Sequence, residues 1–161
     1  MRLRVIAVGT RMPAWVSEAC ADYVRRLRPT LQVTLSEIAP ARRGGAGARA
    51  AGTTAQAIAA EGERLLAALA ADDFAVALDE RGRQLTSREL ASWLSRRMHE
   101  GRDVAFLIGG PDGLAVPVLA RSDFTWSLSR LTLPHALARL LLVEQLYRAH
   151  TLLAGHPYHR E

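Results

Sequence analysis

The stretch DVAFLIGG, residues 103–110, decides the fold class of this chain. Its five central residues are all apolar and lie between an aspartate and two glycines. Such a short apolar run predicts a strand buried on both faces, because a strand with one wet face would alternate apolar and polar residues. Strands covered on both faces are typical of parallel sheets with helices packed on each side. DVAFLIGG therefore predicts the centre of a parallel α/β sheet.

Three more segments read as strands of the same sheet. LRVIAVG (3–9) is a β-branched apolar run closed by a glycine, and FAVALD (74–79) is similarly apolar. LQVTLSEI (31–38) alternates apolar and polar residues, as a strand with one wet face would. We read the following segment ERGR (80–83) as a turn. Helical patterns separate these strands, so we expect one doubly wound α/β domain over residues 1–161.

The helices are recognised by their caps and their periodicity. The first follows Pro13, and its predicted apolar stripe consists of Trp15, Ala19, Tyr23 and Leu27. TTAQ places Thr53 as the N-cap of a second helix, and TSRE places Thr86 as the N-cap of a third that ends at Gly101. The last helix, 135–154, carries more apolar residues than one core-facing stripe needs, so we expect burial against a second subunit.

Composition narrows the classes of function. All 21 basic residues are arginines, and with 16 acidic residues they give a net charge of +5. This excess is compatible with nucleic-acid binding, but the arginines are scattered. The segment PARRGGAGARAAG (40–52) is either a loop that lies on RNA or a solvated linker. Cys20 is the single cysteine, and we expect it to be a small buried helix residue. We expect a cytosolic protein without a metal site, since no membrane span, signal peptide or ligand cluster is recognisable.

The fold class itself points to candidate binding segments. Ligands of open parallel sheets bind beyond the carboxyl ends of the strands. That rule selects the chain after Leu78, the glycine-rich loop IGGPDGL (108–114) and the segment SLSRLTLPH (127–135). The three glycines of GGPDG allow close backbone approach to a ligand, although such loops are often only turns. We read Asp79, Glu80 and Asp112 as turn residues rather than as catalytic acids.

The same segments, together with the C-terminal third of the chain, closely resemble the RlmH family. The resemblance lies in LRVIAVGT, the LD at 78–79, LIGGPDGL and SLSRLTLPHALARLLLVEQLYRAHTLLAGHPYHRE. That family comprises small methyltransferases of the SPOUT class, which methylate N3 of a pseudouridine in large-subunit ribosomal RNA with S-adenosylmethionine. The resemblance implies a C-terminal trefoil knot, a homodimer and a ribosomal substrate.

Site residues carry over position by position. The implied S-adenosylmethionine slot is lined by Leu78, Gly109, Gly110, Leu128, Ser129, Arg130, Leu131, Thr132 and Leu133. In the family the tail is associated with RNA binding and activity. We therefore expect Arg160 to contact phosphate, Tyr158 to orient or stack on a flipped base, and His159 to accept the N3 proton. Two alternatives remain open, namely a SPOUT-type enzyme acting on another RNA such as transfer RNA, and a ribosome-binding protein without catalysis.

Overall fold

A computed structural model describes residues 1–43 and 50–159, and gives the backbone alone for residues 50–52 and 159. In this part of the chain strands and helices alternate. The strands are β1 (Arg2–Val8), β2 (Gln32–Ile38), β3 (Phe74–Gln84), β4 (Val104–Ile108) and β5 (Phe124–Ser127). The helices are α1 (Ala14–Leu27), α2 (Ala50–Ala67), α3 (Ser87–Glu100), α4 (Val116–Arg121) and α5 (His135–Leu153), and a 3₁₀ turn spans Pro157–His159.

The strands form one parallel sheet in the order β2-β1-β4-β3-β5. β4, the strand of DVAFLIGG, lies at its centre, and all five of its residues are buried. Val104 and Phe106 face the core formed with α1, α3 and α5, whereas Ala105 and Leu107 face α2 and α4. The doubly wound α/β architecture expected from the sequence is confirmed, and it rests on this two-sided burial.

Helix α3 has the caps that its sequence predicts. The Thr86 hydroxyl accepts a hydrogen bond from the Glu89 backbone N–H at 3.2 Å, and the Glu89 carboxylate accepts one from the Thr86 N–H at 2.7 Å. Gly101 closes the helix in a left-handed conformation with φ of 73°. This reciprocal cap satisfies backbone donors at the first turn of α3, directly after β3.

Two helix predictions are wrong in detail. The buried stripe of α1 consists of Val16, Cys20, Val24 and Leu27, so the predicted stripe was displaced by one residue and Trp15 is exposed. Cys20 itself is buried, as expected. Helix α2 already begins at Ala50, which places Thr53 inside the helix rather than at its N-cap. Residues 44–49 of the segment 40–52 lie outside the described residues.

The segment ERGR is part of a strand and not the expected turn. β3 continues to Gln84, and its pairing with β5 shifts register between Leu78 and Arg83. A Cβ atom on Gly82 would lie 2.7 Å from the carbonyl carbon of Trp126, so only glycine permits this approach. Gly82, which the sequence suggests is a turn residue, instead lies at a bulge where β3 and β5 approach each other closely.

Candidate active site

A pocket of about 730 Å³ lies beyond the carboxyl ends of β4 and β5, beside the register shift within β3. Its lining comes from the three segments selected by the strand-end rule, namely 78–81, 108–113 and 126–134, together with the first turn of α5. Every residue of the expected slot lines this pocket except Arg130, which is exposed. The parallel topology therefore brings segments some fifty residues apart in sequence around one cavity.

The glycine-rich loop is a tight turn that folds back on itself. The Gly113 N–H donates to the Gly110 carbonyl at 3.1 Å, and Gly113 has φ of 88°. A Cβ on Gly109 would lie 2.6 Å from the Gly113 carbonyl oxygen, so the turn can close only around glycine. A Cβ on Gly110 would instead meet the Glu61 carboxylate and the Val8 side chain, away from the cavity. Both glycines thus shape the loop that borders the pocket.

The opposite wall is formed by the segment that follows β5. The Ser127 hydroxyl donates to the Ser129 carbonyl at 2.9 Å, and the Ser129 hydroxyl accepts from the Leu131 N–H at 2.9 Å. These bonds give the segment a defined course without regular secondary structure. Leu131 is 74% exposed although it lines the pocket, so its side chain lies at the rim.

Trp126 lies at the end of β5 where this wall begins. Its indole ring is buried and lines the pocket, yet Nε1 has no hydrogen-bond partner within the described part of the chain. This nitrogen is also closed off from solvent, so the cavity does not expose it as a donor. Together with Leu78, Ile108 and Leu133, Trp126 makes this part of the site apolar.

The carboxylates at the pocket differ in their partners. Asp79 binds the Arg81 side chain at 3.0 Å and its backbone N–H at 2.9 Å, and this bonding to Arg81 lowers the pKa of Asp79. Glu80 accepts only from the Thr132 hydroxyl at 3.3 Å, with no cationic partner among the described residues. Both acids lie in β3 and not in a turn, which corrects the expectation for these two positions.

An ion-pair network around the buried Glu61 lies behind the glycine-rich loop. Arg43 donates to Glu61 at 2.8 Å and to Asp112, a pocket-lining residue, at 2.6 Å. Glu61 is 2% exposed and also accepts from the Ala41 N–H at 3.0 Å. The two carboxylates raise the pKa of the Arg43 guanidinium, chiefly through the bonds to Glu61. We name Arg43, Glu61 and Asp112 the loop clamp, because it ties the loop to α2 and to the chain before it.

The C-terminal tail lies on its own subunit through Tyr158. The Tyr158 hydroxyl lies 3.1 Å from that of Tyr23 and donates to the Glu144 carboxylate at 3.2 Å. Its ring packs edge-on against Tyr147 with centroids 4.6 Å apart, and the Arg148 guanidinium lies over its other side. Burial and these partners raise the pKa of Tyr158. Tyr158 is engaged by α1 and α5 and does not line the pocket, in contrast to the stacking role expected for it.

The other tail residues are only partly described. His159 ends the 3₁₀ turn, but its side chain and the whole of Arg160 lie outside the described residues. The roles expected for these two residues therefore stay predictions. In this turn, His159 directly follows Tyr158, whose side chain is held by Tyr23 and Glu144.

Sequence reasoning missed the loop clamp, Trp126 and the anchor of Tyr158. Glu61 is a lone carboxylate on the buried side of an alanine- and leucine-rich helix. That position could have predicted a buried ion pair. The partners of Tyr158 come from α1 and α5, and no spacing in the sequence indicates that pairing.

The described residues include neither a metal-binding cluster nor a membrane-spanning helix. Over residues 1–43 and 50–159, no group of three or more His, Cys, Asp or Glu side chains is arranged to hold a metal ion. None of the helices in these two ranges has the length and apolar character needed to span a bilayer.

Several of the apolar side chains of α5 are buried in the core of its own chain. Leu142, Val143, Leu146 and Tyr147 are all buried within this single subunit. Leu141 and Leu153 remain exposed. The apolar excess of the helix is thus explained mostly by packing on both α1 and α3, and only a small part of it is left uncovered.

Comparison with known proteins identifies the family of this chain. Residues 1–159 match the family model described as "Predicted SPOUT methyltransferase". Proteins named ribosomal RNA large subunit methyltransferase H are similar over the full length of both chains, with 52% identity in Thiobacillus denitrificans and 50% in Thioalkalivibrio sulfidiphilus. The crystal structure of a probable methyltransferase from Bordetella pertussis shares the fold, with a TM-score of 0.55 at 21% identity over 92% of this chain and 93% of that one. The chain therefore belongs to the RlmH family of SPOUT methyltransferases.

Proposed function

We propose that this protein transfers a methyl group from S-adenosylmethionine to N3 of a pseudouridine in large-subunit ribosomal RNA. The observation that carries the proposal is full-length similarity, at about half of all positions, to proteins named ribosomal RNA large subunit methyltransferase H. The net charge of +5 favours an RNA substrate, and ribosomes place the reaction in the cytoplasm. The substrate, rather than a separate domain, would supply much of the binding surface.

The pocket beyond β4 and β5, beside the middle of β3, is the proposed cofactor site. Its volume of about 730 Å³ lies within the range of ligand pockets. Its apolar walls, which include Leu78, Ile108 and Leu133, suit an adenine ring. When bound, S-adenosylmethionine supplies an electrophilic methyl group on a sulfonium. Among the residues expected in the slot, Arg130 has the weakest support, since it does not line the cavity.

The protein's own contribution to the reaction is chiefly positioning. Methyl transfer needs the acceptor nitrogen in line with the sulfur–methyl bond, and such alignment contributes a large share of rate enhancement. The uracil N3 must also lose a proton. We propose His159 as its acceptor and Arg160 as a phosphate contact, with Tyr158 holding the tail through Tyr23 and Glu144. In this arrangement Tyr158 is a positioning residue.

We also propose that the chain carries the SPOUT trefoil knot and forms a homodimer. β5 lies at one edge of the sheet, and the chain then returns to place α5 against both α1 and α3. The knot would involve this part of the chain, from the end of β5 to α5. The exposed leucines at 141 and 153 offer apolar surface on α5 for a second subunit. Leu141→Arg tests this proposed dimer contact by sedimentation. A substitution of Leu146, which is fully buried, would report on folding instead.

The test of function is incubation with methyl-labelled S-adenosylmethionine and, separately, ribosomes, free ribosomal RNA or transfer RNA. We expect label in large-subunit ribosomal RNA. Label in transfer RNA alone would replace the proposed substrate, and tight ribosome binding with no label would indicate a non-catalytic protein. A variant lacking residues 158–161 is the matched control: it should bind S-adenosylmethionine normally by calorimetry but transfer no methyl group.

A further inference from the structure

A second cavity of about 450 Å³ lies between α3 and the sheet edge formed by β5. Three arginines, Arg83, Arg88 and Arg96, border it, and Trp93 and Phe124 contribute aromatic surface. We name this cavity the α3 groove. Arg88, Ser92 and Arg96 are four residues apart along α3, so all three lie on one face of the helix. The two outer arginines are separated by about 12 Å along the helix axis.

The charges in the α3 groove do not cancel. Glu89 is occupied by the cap of α3 and pairs with Arg83 at 3.8 Å. Asp123 accepts from the Ala75 N–H at 2.8 Å and pairs with Arg121. Arg88 and Arg96 are exposed and have no ion-pair partner in the described part of the chain. Two positive charges therefore remain free on one face of the groove.

The floor of the groove adds a second property. Trp93 and Phe124 pack together with ring centroids 6.1 Å apart, and Phe124 is only partly buried. Free arginines beside an aromatic surface are the combination with which proteins bind single-stranded nucleic acid, because phosphates pair with the cations and bases stack on the rings. An apolar peptide would leave the two cations unused.

The α3 groove lies near the candidate active site along the sheet. Arg81 and Trp126 line the pocket, whereas Arg83 and Phe124 line the groove, so lining residues of the two sites are two positions apart on both β3 and β5. Two residues of strand span about 7 Å. An RNA strand with its reacting base at the pocket can therefore continue into the groove.

We propose that the α3 groove binds the ribosomal RNA strand next to the target nucleotide, with Arg88 and Arg96 on its phosphates. This inference rests on the proposed function, which it deepens by naming the path of the substrate. It gives Arg88 and Arg96 a role in substrate affinity and none in cofactor binding. Neither residue lines the cofactor pocket.

The test is charge reversal of the pair, Arg88→Glu with Arg96→Glu. The matched control reverses Arg25 in the last turn of α1 and Arg28 at its C-cap, which are both exposed and change the net charge equally. We expect the groove variant to raise KM for ribosomes at least tenfold, roughly the effect of losing two phosphate contacts, with kcat nearly unchanged. The slope of log affinity against log salt should fall by about 1.4, since each contact to a single strand contributes about 0.7.

Two further measurements make the outcome decisive. Calorimetry with S-adenosylmethionine should give the wild-type affinity for both double variants, which shows that they fold and separates this proposal from the proposed function. Ser92→Cys, between the two arginines, accepts a photo-crosslinker selectively, because Cys20 is buried and burial raises its pKa. On ribosomes this probe should crosslink to ribosomal RNA. Crosslinks to ribosomal protein alone, or equal KM and salt slope in the two double variants, would overturn the proposal.

Discussion

Replacing Arg43 by alanine tests the loop clamp, because it leaves the Glu61 carboxylate buried without its cation. The Glu61 side chain is 3% exposed and that of Arg43 is 25% exposed. Removing one partner of a buried ion pair costs about 3–5 kcal/mol. Since water can enter where the partly exposed arginine was, we expect about 3 kcal/mol. With a urea m-value of about 2–3 kcal/mol/M, the unfolding midpoint should fall by about 1–1.5 M.

Two companion variants separate this mechanism from a general loss of contacts. Arg25→Ala breaks an exposed pair with Asp22 and should cost at most about 0.5 kcal/mol. Arg43→Ala combined with Glu61→Gln removes the stranded charge and should recover more than half of the loss. Equal midpoints for Arg43→Ala and Arg25→Ala would refute the argument, since Glu61 would then tolerate the loss of its cation.

Three further predictions concern the caps, the glycine-rich loop and the pH dependence. Thr86→Ala removes a helix cap and should lower the free energy of unfolding by about 1 kcal/mol in urea titrations. Ser92→Ala removes no cap and should lower this free energy by less than about 0.5 kcal/mol. Gly109→Ala should weaken S-adenosylmethionine binding at least tenfold by calorimetry, because its Cβ would lie 2.6 Å from a loop carbonyl, while Gly101→Ala should lower stability alone. Burial lowers the pKa of His150 below its ordinary value of 6.5. Below pH 6.5 the unfolded chain therefore binds a proton at His150 more readily than the folded chain does, and the free energy of unfolding falls as the pH falls. Wild type should therefore lose stability relative to His150→Gln between about pH 7 and 5, and parallel pH curves would contradict this.

The central strands could be read from sequence because their burial is local information. β4 is apolar throughout and β1 is apolar from Val5 to Val8, and helices cover both of their faces. The strand-end rule then located the pocket from three separate segments, including Leu78 and Gly109. These inferences need only the strand pattern and the parallel topology.

The remainder depends on contacts between elements, which spacing does not encode. Gly82 reads as a turn because the close approach of β5 is invisible in the sequence. Arg43 and Glu61 are 18 residues apart, and Arg43 and Asp112 are 69 apart. The partners of Tyr158 belong to distant helices, so its anchoring could not be predicted, and its expected substrate contact stays a prediction. Each missed feature concerns a residue whose environment is built by tertiary packing.

The most direct measurement is mass spectrometry of the nucleosides from ribosomes incubated with this protein and methyl-labelled S-adenosylmethionine. Ribosomes that lack the modification serve as substrate, and the Gly109→Ala variant serves as the matched control. We predict that wild-type protein places the label in N3-methylpseudouridine from the large-subunit ribosomal RNA, and that the variant places little or none there. Label in any other nucleoside, or none with a wild-type protein that binds the cofactor, would contradict the proposed function.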